Sequence, residues 1–204
     1  MGTWQGMGRA LPAIDAKLAD FMVSQPVFFV ATAPLRGGHV NCSPKGNDGD
    51  FQVLDDRRVA YQDMTGSGIE TIAHLRENGR LVIMFCAFSG PPRIVRLHGR
   101  GQVVVPGDGR YAGLEGRFRP SLGRRSFIVV DVERVSTSCG FGVPLMTFDR
   151  HRDNMARWAE AKGPDGLKAY REEKNALSLD GLSGLGGPPG RAPHGAREVV
   201  TPTP

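Results

Sequence analysis

The chain has 204 residues, of which 40% are hydrophobic and 23% are charged, a composition typical of one ordinary globular domain. The formal net charge is +5, but basic and acidic residues are interspersed, so no stripe for nucleic acid binding is indicated. A small phosphorylated ligand suits this mild positive excess. The three cysteines are widely spaced and form no Cys-x-x-Cys pair, which argues against a disulfide framework and against a metal site.

No targeting or membrane segment stands out along the chain. The first ten residues contain no apolar core of signal-peptide length. No stretch approaches the ~18 consecutive apolar residues of a membrane span. We therefore predict a cytoplasmic protein with no membrane and no nucleic acid among its partners.

Apolar periodicity predicts a mainly β chain that begins with a helix. Apolar residues at spacings of three and four predict an amphipathic helix over residues 12–24, which ends before Pro26. Runs rich in β-branched and aromatic residues, bounded by glycine and proline, predict the strands. In chain order these are residues 27–33, 39–44, 58–62, 80–88, 93–105 and 126–132. Gly99 and Gly101 predict a bulge or sharp bend within the fifth of them.

Helices are predicted between and after these strands. Residues 67–70 read SGIE, a capping box that predicts a helix from Ser67 to Asn78. Further helical patterns cover residues 108–118, 150–162 and 164–177. The domain prediction is a flexible N-terminus over residues 1–10, one barrel domain with C-terminal helices over residues 11–178, and a flexible Gly/Pro-rich tail over residues 179–204.

The most informative motif is TGSG at residues 65–68, where a strand meets a helix. Free backbone N–H groups and the helix dipole favour an anion there, and glycines let a phosphate come close. The alternative is that Ser67 and Glu70 only cap the helix. The motif taken alone leaves both readings open.

A second motif, NCSPKG at residues 41–46, lies on a neighbouring predicted strand. Residues two apart on a strand share a face, so Asn41, Ser43 and Lys45 form one row. Such a row can supply a cation and amide hydrogen bonds to a phosphate or a flavin ring. The alternative is that Lys45 is a solvated residue at a strand end.

The order of elements and motifs over residues 15–178 resembles the pyridoxamine 5′-phosphate oxidase-like FMN-binding proteins. It is similar in particular to an uncharacterised branch with SPKG, TGSG and SCGxGVP motifs. These motifs stand here at residues 43–46, 65–68 and 138–144.

The resemblance implies a six-stranded FMN-binding split β-barrel that forms a homodimer with the cofactor at the subunit interface. It also implies that Lys45 approaches the flavin, that Thr65 and Ser67 are phosphate-loop hydroxyls, and that Arg93 is a further anion contact. The predicted cofactor-binding residues are Asn41, Ser43, Lys45, Gly46, Thr65, Gly66, Ser67, Gly68 and Arg93. No catalytic side chain is predicted, because the flavin itself carries the redox chemistry.

Two departures from the oxidase proper shape the functional prediction. The oxidase follows its threonine loop with a basic run, whereas this chain has Gly68, Ile69 and Glu70, so phosphate binding relies more on backbone and on Lys45 or Arg93. Residues 96–100 read RLHGR and look like the oxidase's substrate signature, but they lie in a mid-chain strand. We interpret that match as coincidence and do not expect pyridoxamine phosphate to be the substrate.

The predicted function is therefore an FMN-dependent oxidoreductase acting on an unknown small molecule. The alternatives are a reductase that uses the deazaflavin F420, and a non-catalytic flavin- or haem-binding protein. Among other residues, Cys139 is interpreted as part of a structural turn rather than a reactive thiol. His74 is interpreted as a solvated helix-face histidine, and Trp158 as a core aromatic.

Overall fold

Alternating apolar segments build an antiparallel sheet that curls around one hydrophobic core. The structure is a computed structural model and describes residues 9–186. Its strands are β1 (Arg9–Leu11), β2 (Phe28–Thr32), β3 (Asn41–Lys45), β4 (Phe51–Val53), β5 (Arg58–Met64), β6 (Arg80–Cys86), β7 (Ile94–Val104) and β8 (Arg124–Ser138). Six of them correspond to the predicted strands, whereas the three-residue strands β1 and β4 were not predicted. The predicted mainly β split-barrel fold is thus confirmed.

The helices lie at the ends of the sheet, close to their predicted positions. They are α1 (Ala16–Val23), α2 (Glu70–Asn78), α3 (Tyr111–Glu115) and α4 (Asn154–Lys174). α1 begins later than predicted because the carboxylate of Asp15 caps it, accepting from the Leu18 N–H at 2.8 Å. α4 is broken at Gly163, whose φ of 64° is not helical, so the predicted division into two helices is confirmed.

The strand order is β3-β2-β6-β7-β8-β5-β4, with β1 pairing to β8, and every pairing is antiparallel. The register between β7 and β8 shifts at His98 and Gly99, which confirms the predicted bulge. A Cβ on Gly99 would lie 2.2 Å from the carbonyl oxygen of Asp131, so only glycine fits there. The bulge bends the longest strand pair and helps the sheet to curl.

The core lies on the inner face of the curled sheet. Its centre is an aromatic group in which Phe28 contacts the rings of Phe51, Tyr61 and Phe85 at centroid distances of 5.4–5.6 Å. α1 contributes Leu18 and Met22 to the same cluster. A smaller cluster lies on the other side of the sheet and consists of Ala60, Val104, Leu114, Phe118 and Phe127.

The predicted terminal segments fall partly outside the described residues. Residues 1–8 and 187–204 lie outside them, and with these most of the predicted flexible N-terminus and tail. Residues 9–11 pair with β8. At the other end, the backbone N–H groups of Gly184 and Leu185 donate to the carbonyls of Ala176 and Asn175, each at 2.8 Å. The chain after α4 therefore folds back on the end of that helix.

No helix within residues 9–186 is long and apolar enough to cross a membrane. No group of three or more His, Cys, Asp or Glu side chains in this range is placed to hold a metal ion.

Candidate functional site

The predicted row on β3 faces inward. Asn41, Ser43 and Lys45 are half-buried, whereas Cys42 and Pro44 between them are exposed. This alternation follows from the pleat of a strand, which turns successive side chains to opposite faces. The predicted same-face row is confirmed.

The row borders a polar cavity of about 300 Å³ between β3, β5 and the loop after β5. Of the predicted cofactor residues, the cavity is lined by Ser43, Lys45, Gly46, Gly66, Ser67 and Gly68. Asp50, Gln62, Arg125 and Met155 also line it. The two motifs, about twenty residues apart in sequence, therefore form opposite walls of one space.

A buried carboxylate joins the two cations of this cavity. Asp63 is fully buried and accepts from the Lys45 Nζ at 2.9 Å and from the Arg125 Nε at 2.7 Å. Burial raises the pKa of the Asp63 carboxyl, but the charges and hydrogen bonds of Lys45 and Arg125 outweigh it, so the pKa lies below its ordinary value. One negative charge is thus shared by two positive ones, which leaves this trio with a net positive charge beside the cavity.

The loop carrying the TGSG motif is held from behind by α4 and the residue that follows it. The Thr65 hydroxyl is buried and accepts from the Arg171 Nε at 2.8 Å. The Gly66 carbonyl accepts from the Asn175 Nδ2 at 2.9 Å, and the Asn175 Oδ1 accepts from the Arg125 Nη1 at 2.9 Å. Thr65 therefore serves to fix the loop, and it does not line the cavity.

The predicted capping box is wrong. α2 begins at Glu70 with Ile69 as its N-cap, and no side chain caps it. Glu70 lines the cavity and does not bond to Ser67; its Oε1 accepts from the Leu179 N–H at 3.2 Å. Ser67 is exposed at the cavity and makes no hydrogen bond within residues 9–186, so its hydroxyl remains available to a ligand.

Asn41 and Arg93 do not line the cavity. The Asn41 Nδ2 donates to the hydroxyls of Thr32 and Thr71 at 3.2 and 3.0 Å, and its Oδ1 accepts from the Ser43 hydroxyl at 3.0 Å. Asn41 thus orients Ser43 from behind. The Arg93 guanidinium lies 5.1 Å from the ring centroid of Phe21, away from the cavity, and its role as an anion contact stays a prediction.

His74 extends this polar network into the protein interior. Its side chain is fully buried, so the interpretation as a solvated histidine is wrong. The Nδ1 lies 2.9 Å from the Thr32 hydroxyl, while the Nε2 has no hydrogen-bond partner within the described chain. Burial lowers the pKa of His74, which favours the neutral ring.

Asp50 is a second buried acid at the cavity. Its carboxylate accepts from the side-chain amides of Gln62 and Asn47. Burial raises the pKa of Asp50 even though both hydrogen bonds act in the opposite direction. Two acidic side chains, those of Asp50 and Glu70, thus line the cavity beside Lys45 and Arg125.

A larger, more apolar cavity of about 1040 Å³ adjoins the polar one. The two share Gly46 and Asn47 in their linings. The aromatic side chains around the larger cavity are Phe28, Phe29, Phe51, Phe88, Phe148 and His151. A ligand with an anionic end and a flat aromatic end would find both kinds of surface side by side.

Sequence reasoning missed Asp63, Arg125, Arg171 and Asn175. Asp63 lies two residues before the TGSG loop, and Arg125 opens the last strand. Their contacts join positions 62 residues apart, and those of Asn175 and Arg171 with the loop join positions more than 100 apart. One feature of the sequence could have indicated them, because charged residues occur within strands predicted to be buried. A charged side chain in such a strand must have a polar or charged partner.

Several solved structures align with the barrel. HupZ of Group A Streptococcus is 22% identical with a TM-score of 0.46, over 60% of this chain and 91% of its own. FAD-binding proteins of Mesorhizobium loti and Mycobacterium smegmatis are 16% and 13% identical with TM-scores of 0.45 and 0.43, over 64% and 62% of this chain and 95% and 96% of theirs. TM-scores below 0.5 at these identities do not establish shared ligands or chemistry.

Sequence comparison, unlike these structures, identifies the family of the chain. A curated relative, the pyridoxamine 5′-phosphate oxidase family protein ustO of Aspergillus flavus, is 45% identical over 189 residues, which span 85% of this chain and 76% of the relative. A family profile described as pyridoxamine 5′-phosphate oxidase matches residues 14–139, the range that contains both motifs and the whole polar cavity except Met155. The chain therefore belongs to the pyridoxamine 5′-phosphate oxidase family.

Proposed function

We propose that the protein is an FMN-dependent oxidoreductase whose cofactor phosphate binds in the polar cavity between β3 and the TGSG loop. The observation that carries this proposal is Gly66. Its φ is outside the left-handed region, and a Cβ built on it would meet no atom within 4 Å. Nothing in residues 9–186 requires glycine there, so the open space beside its backbone is suited to a ligand's close approach.

The basic side chains around this space suit a phosphate. Lys45 and Arg125 share the carboxylate of Asp63, while the two other acids of the lining, Asp50 and Glu70, accept from amide groups, so both cations keep N–H groups for an anion. An anion held there would form charge-assisted hydrogen bonds. The Ser67 hydroxyl adds a donor to the same cavity, whereas the Ser43 hydroxyl already donates to the Asn41 Oδ1. The chain lacks the basic run that follows the threonine loop in the oxidase proper. The side chains named here are proposed to bind the phosphate instead.

The neighbouring apolar cavity suits the flavin ring system. Its aromatic lining offers flat surfaces, and it borders the polar cavity at Gly46, which supports binding of the ring beside the proposed phosphate site. When bound, FMN supplies the hydride or electron transfer of the reaction. The protein's own residues then bind the phosphate, orient the ring and exclude water, which is why no side chain needs to act as the redox group.

The substrate is proposed to be a small molecule other than pyridoxamine phosphate. The RLHGR run lies within β7 and contributes no residue to either cavity. Arg96 donates to the Ser138 hydroxyl, and Arg100 donates to Glu133 and to the Asn78 carbonyl. These arginines are thus engaged in the sheet and its edge.

We further propose a homodimer with the cofactor at its interface. The segment between β8 and α4 exposes large apolar side chains, with Leu145 at 78%, Met146 at 57% and Phe148 at 55% of their surface accessible. Met146 and Phe148 also line the apolar cavity. Packing of a second copy on this segment would bury those side chains and cover the flavin ring at once.

The test begins with an absorbance spectrum of freshly purified protein and mass spectrometry of whatever denaturation releases. We expect flavin bands and the mass of FMN, followed by oxidation of NADH or NADPH in the presence of an acceptor. A haem spectrum, an F420 mass, or protein that stays colourless after incubation with FMN would each overturn the FMN assignment. Flavin retained without any turnover would instead support a non-catalytic binding protein.

The dimer is tested separately by light scattering during gel filtration. We expect twice the chain mass for the native protein and a monomer for Leu145→Asp. A native monomer that still holds FMN would overturn the interface proposal and leave the cofactor site standing.

A further inference from the structure

A third cavity, of about 220 Å³, lies behind the TGSG loop, on the side of Arg125 that faces α4. Three cationic side chains line it, those of Arg125, Lys168 and Arg171. Lys168 and Arg171 are three residues apart on α4, so they lie on one face of that helix. This cavity shares only Arg125 with the polar cavity described above.

The charge of Arg171 is not balanced by any carboxylate in residues 9–186. The half-buried Arg171 donates from Nε to the Thr65 hydroxyl at 2.8 Å and from Nη2 to the Arg124 carbonyl at 3.3 Å. Both acceptors are neutral. Burial lowers the pKa of the Arg171 guanidinium, and the nearby positive charge of Arg125 lowers it further. A negative charge placed in this cavity would relieve both effects.

The other charged side chains around the cavity do not balance the positive charge of Arg171. The charge of Arg125 faces Asp63, which it shares with Lys45. Lys168 is exposed at the cavity and forms no ion pair within the described chain. Among residues 9–186, Glu172 is the acidic residue of the lining, and it is exposed to solvent like Lys168, so the charges of both are screened. The half-buried Arg171 therefore carries the charge that an anion would balance most effectively.

The remaining lining sets the class of ligand. Val105, Pro106 and Leu185 form an apolar wall opposite the cations. The volume is below the roughly 300–1,000 Å³ of pockets for drug-sized molecules. A wall of this kind favours an anion that carries an apolar body over a bare inorganic ion.

We propose that this cavity binds a small organic anion, with its carboxylate or phosphoryl group on Lys168 and Arg171 and its apolar body against Val105, Pro106 and Leu185. The proposal does not depend on FMN. It concerns a different space, and Lys168 takes no part in the polar cavity.

The test is isothermal titration of the full-length protein with three probes, benzoate, phenyl phosphate and inorganic phosphate. We expect saturable binding of benzoate or phenyl phosphate with a Kd on the order of 1 mM or tighter, and weaker binding of inorganic phosphate. The better of the two aromatic probes identifies the anionic group. Lys168→Ala should weaken that probe at least about fivefold through loss of one charge-assisted contact.

Lys174→Ala is the matched control, because Lys174 is an exposed lysine at the end of the same helix and does not line the cavity. It should leave probe binding unchanged. Lys168→Ala should also leave FMN binding unchanged, which separates this site from the cofactor site. The proposal is overturned by no saturable binding of either aromatic probe up to about 10 mM, by binding that Lys168→Ala does not weaken, or by inorganic phosphate binding as tightly as phenyl phosphate.

Discussion

Arg124 and Arg125 are neighbours at the start of β8, yet they serve opposite faces of the sheet. Arg124 donates to the Tyr111 hydroxyl at 3.2 Å, lies 4.7 Å from the ring centroid of Phe127 and pairs with Glu115. Arg125 pairs with Asp63 and lines the polar cavity. The pleat of the strand separates the two side chains, since successive residues point to opposite faces.

The cluster around Arg124 and the cluster around Arg125 also differ in how their charges are paired. Arg124 has one carboxylate partner of its own, and that partner, Glu115, is half exposed. Asp63 is fully buried and divides its charge between Lys45 and Arg125. The first cluster pairs one cation with one carboxylate, whereas in the second two cations share one buried carboxylate. The proposed cofactor site differs from the Arg124 cluster in this sharing.

The largest difference that we expect between the two clusters is in the free energy of unfolding after each arginine is replaced. Arg125→Met leaves the buried Asp63 with Lys45 alone and should lower the free energy of unfolding by about 3 kcal/mol, since breaking a buried pair costs about 3–5 kcal/mol. Arg124→Met should cost only about 1–2 kcal/mol, because Glu115 can turn to water. Urea unfolding of both variants beside the native protein measures the difference. Equal losses would contradict the distinction drawn between the two arginines.

The next effect is on cofactor affinity. Lys45→Met removes a cation from the cavity and should weaken FMN binding by about 10- to 100-fold, the loss expected for one hydrogen bond to a charged group. Lys17→Met, on the exposed face of α1, is the control and should bind FMN like the native protein. Fluorescence titration of FMN measures both. Unchanged affinity in Lys45→Met would remove Lys45 from the site.

A smaller loss is expected from blocking the space beside the loop. Gly66→Ala should weaken FMN binding about tenfold while changing the free energy of unfolding by no more than about 0.5 kcal/mol, because the added methyl meets no atom of the folded chain. Gly109→Ala is matched to it, since a Cβ there also meets nothing within 4 Å. Its FMN affinity should stay native. A stable Gly66→Ala protein with native affinity would show that the phosphate does not approach this backbone.

The smallest expected effect concerns pH and the buried ring of His74. Because burial lowers the pKa of His74 in the folded state, the unfolded chain binds a proton more readily. Stability should therefore be highest above the unfolded pKa of about 6.5 and fall as the pH drops below it towards the folded pKa. Unfolding of the native protein and of His74→Gln between about pH 7.5 and pH 5 measures this, and the native protein should lose more stability than the variant over that range. If the native protein and His74→Gln lost stability equally as the pH falls, groups other than His74 would be responsible.

Some parts of the site could be predicted from the sequence, and others could not. The row Asn41, Ser43 and Lys45 was predictable because alternation on a strand is local geometry. The loop position was predictable because glycines mark where a strand turns into a helix. The capping box failed because Glu70 found a partner, the Leu179 N–H, that lies 109 residues away. His74 was misplaced for the same kind of reason, since the segments that bury it are distant in sequence.

Conformational preferences and spacing of nearby residues were enough to predict six of the eight strands, the bulge at Gly99 and the two polar motifs. The packing of distant segments sets the rest: Asp63 joins Lys45 to Arg125, Asn175 and Arg171 fix the loop, and Arg93 lies beside Phe21. These outcomes follow from which strands pair and which helix packs behind them. Electrostatic balance depends on distances in space, and pairings between residues 62 or more positions apart leave no local pattern along the chain.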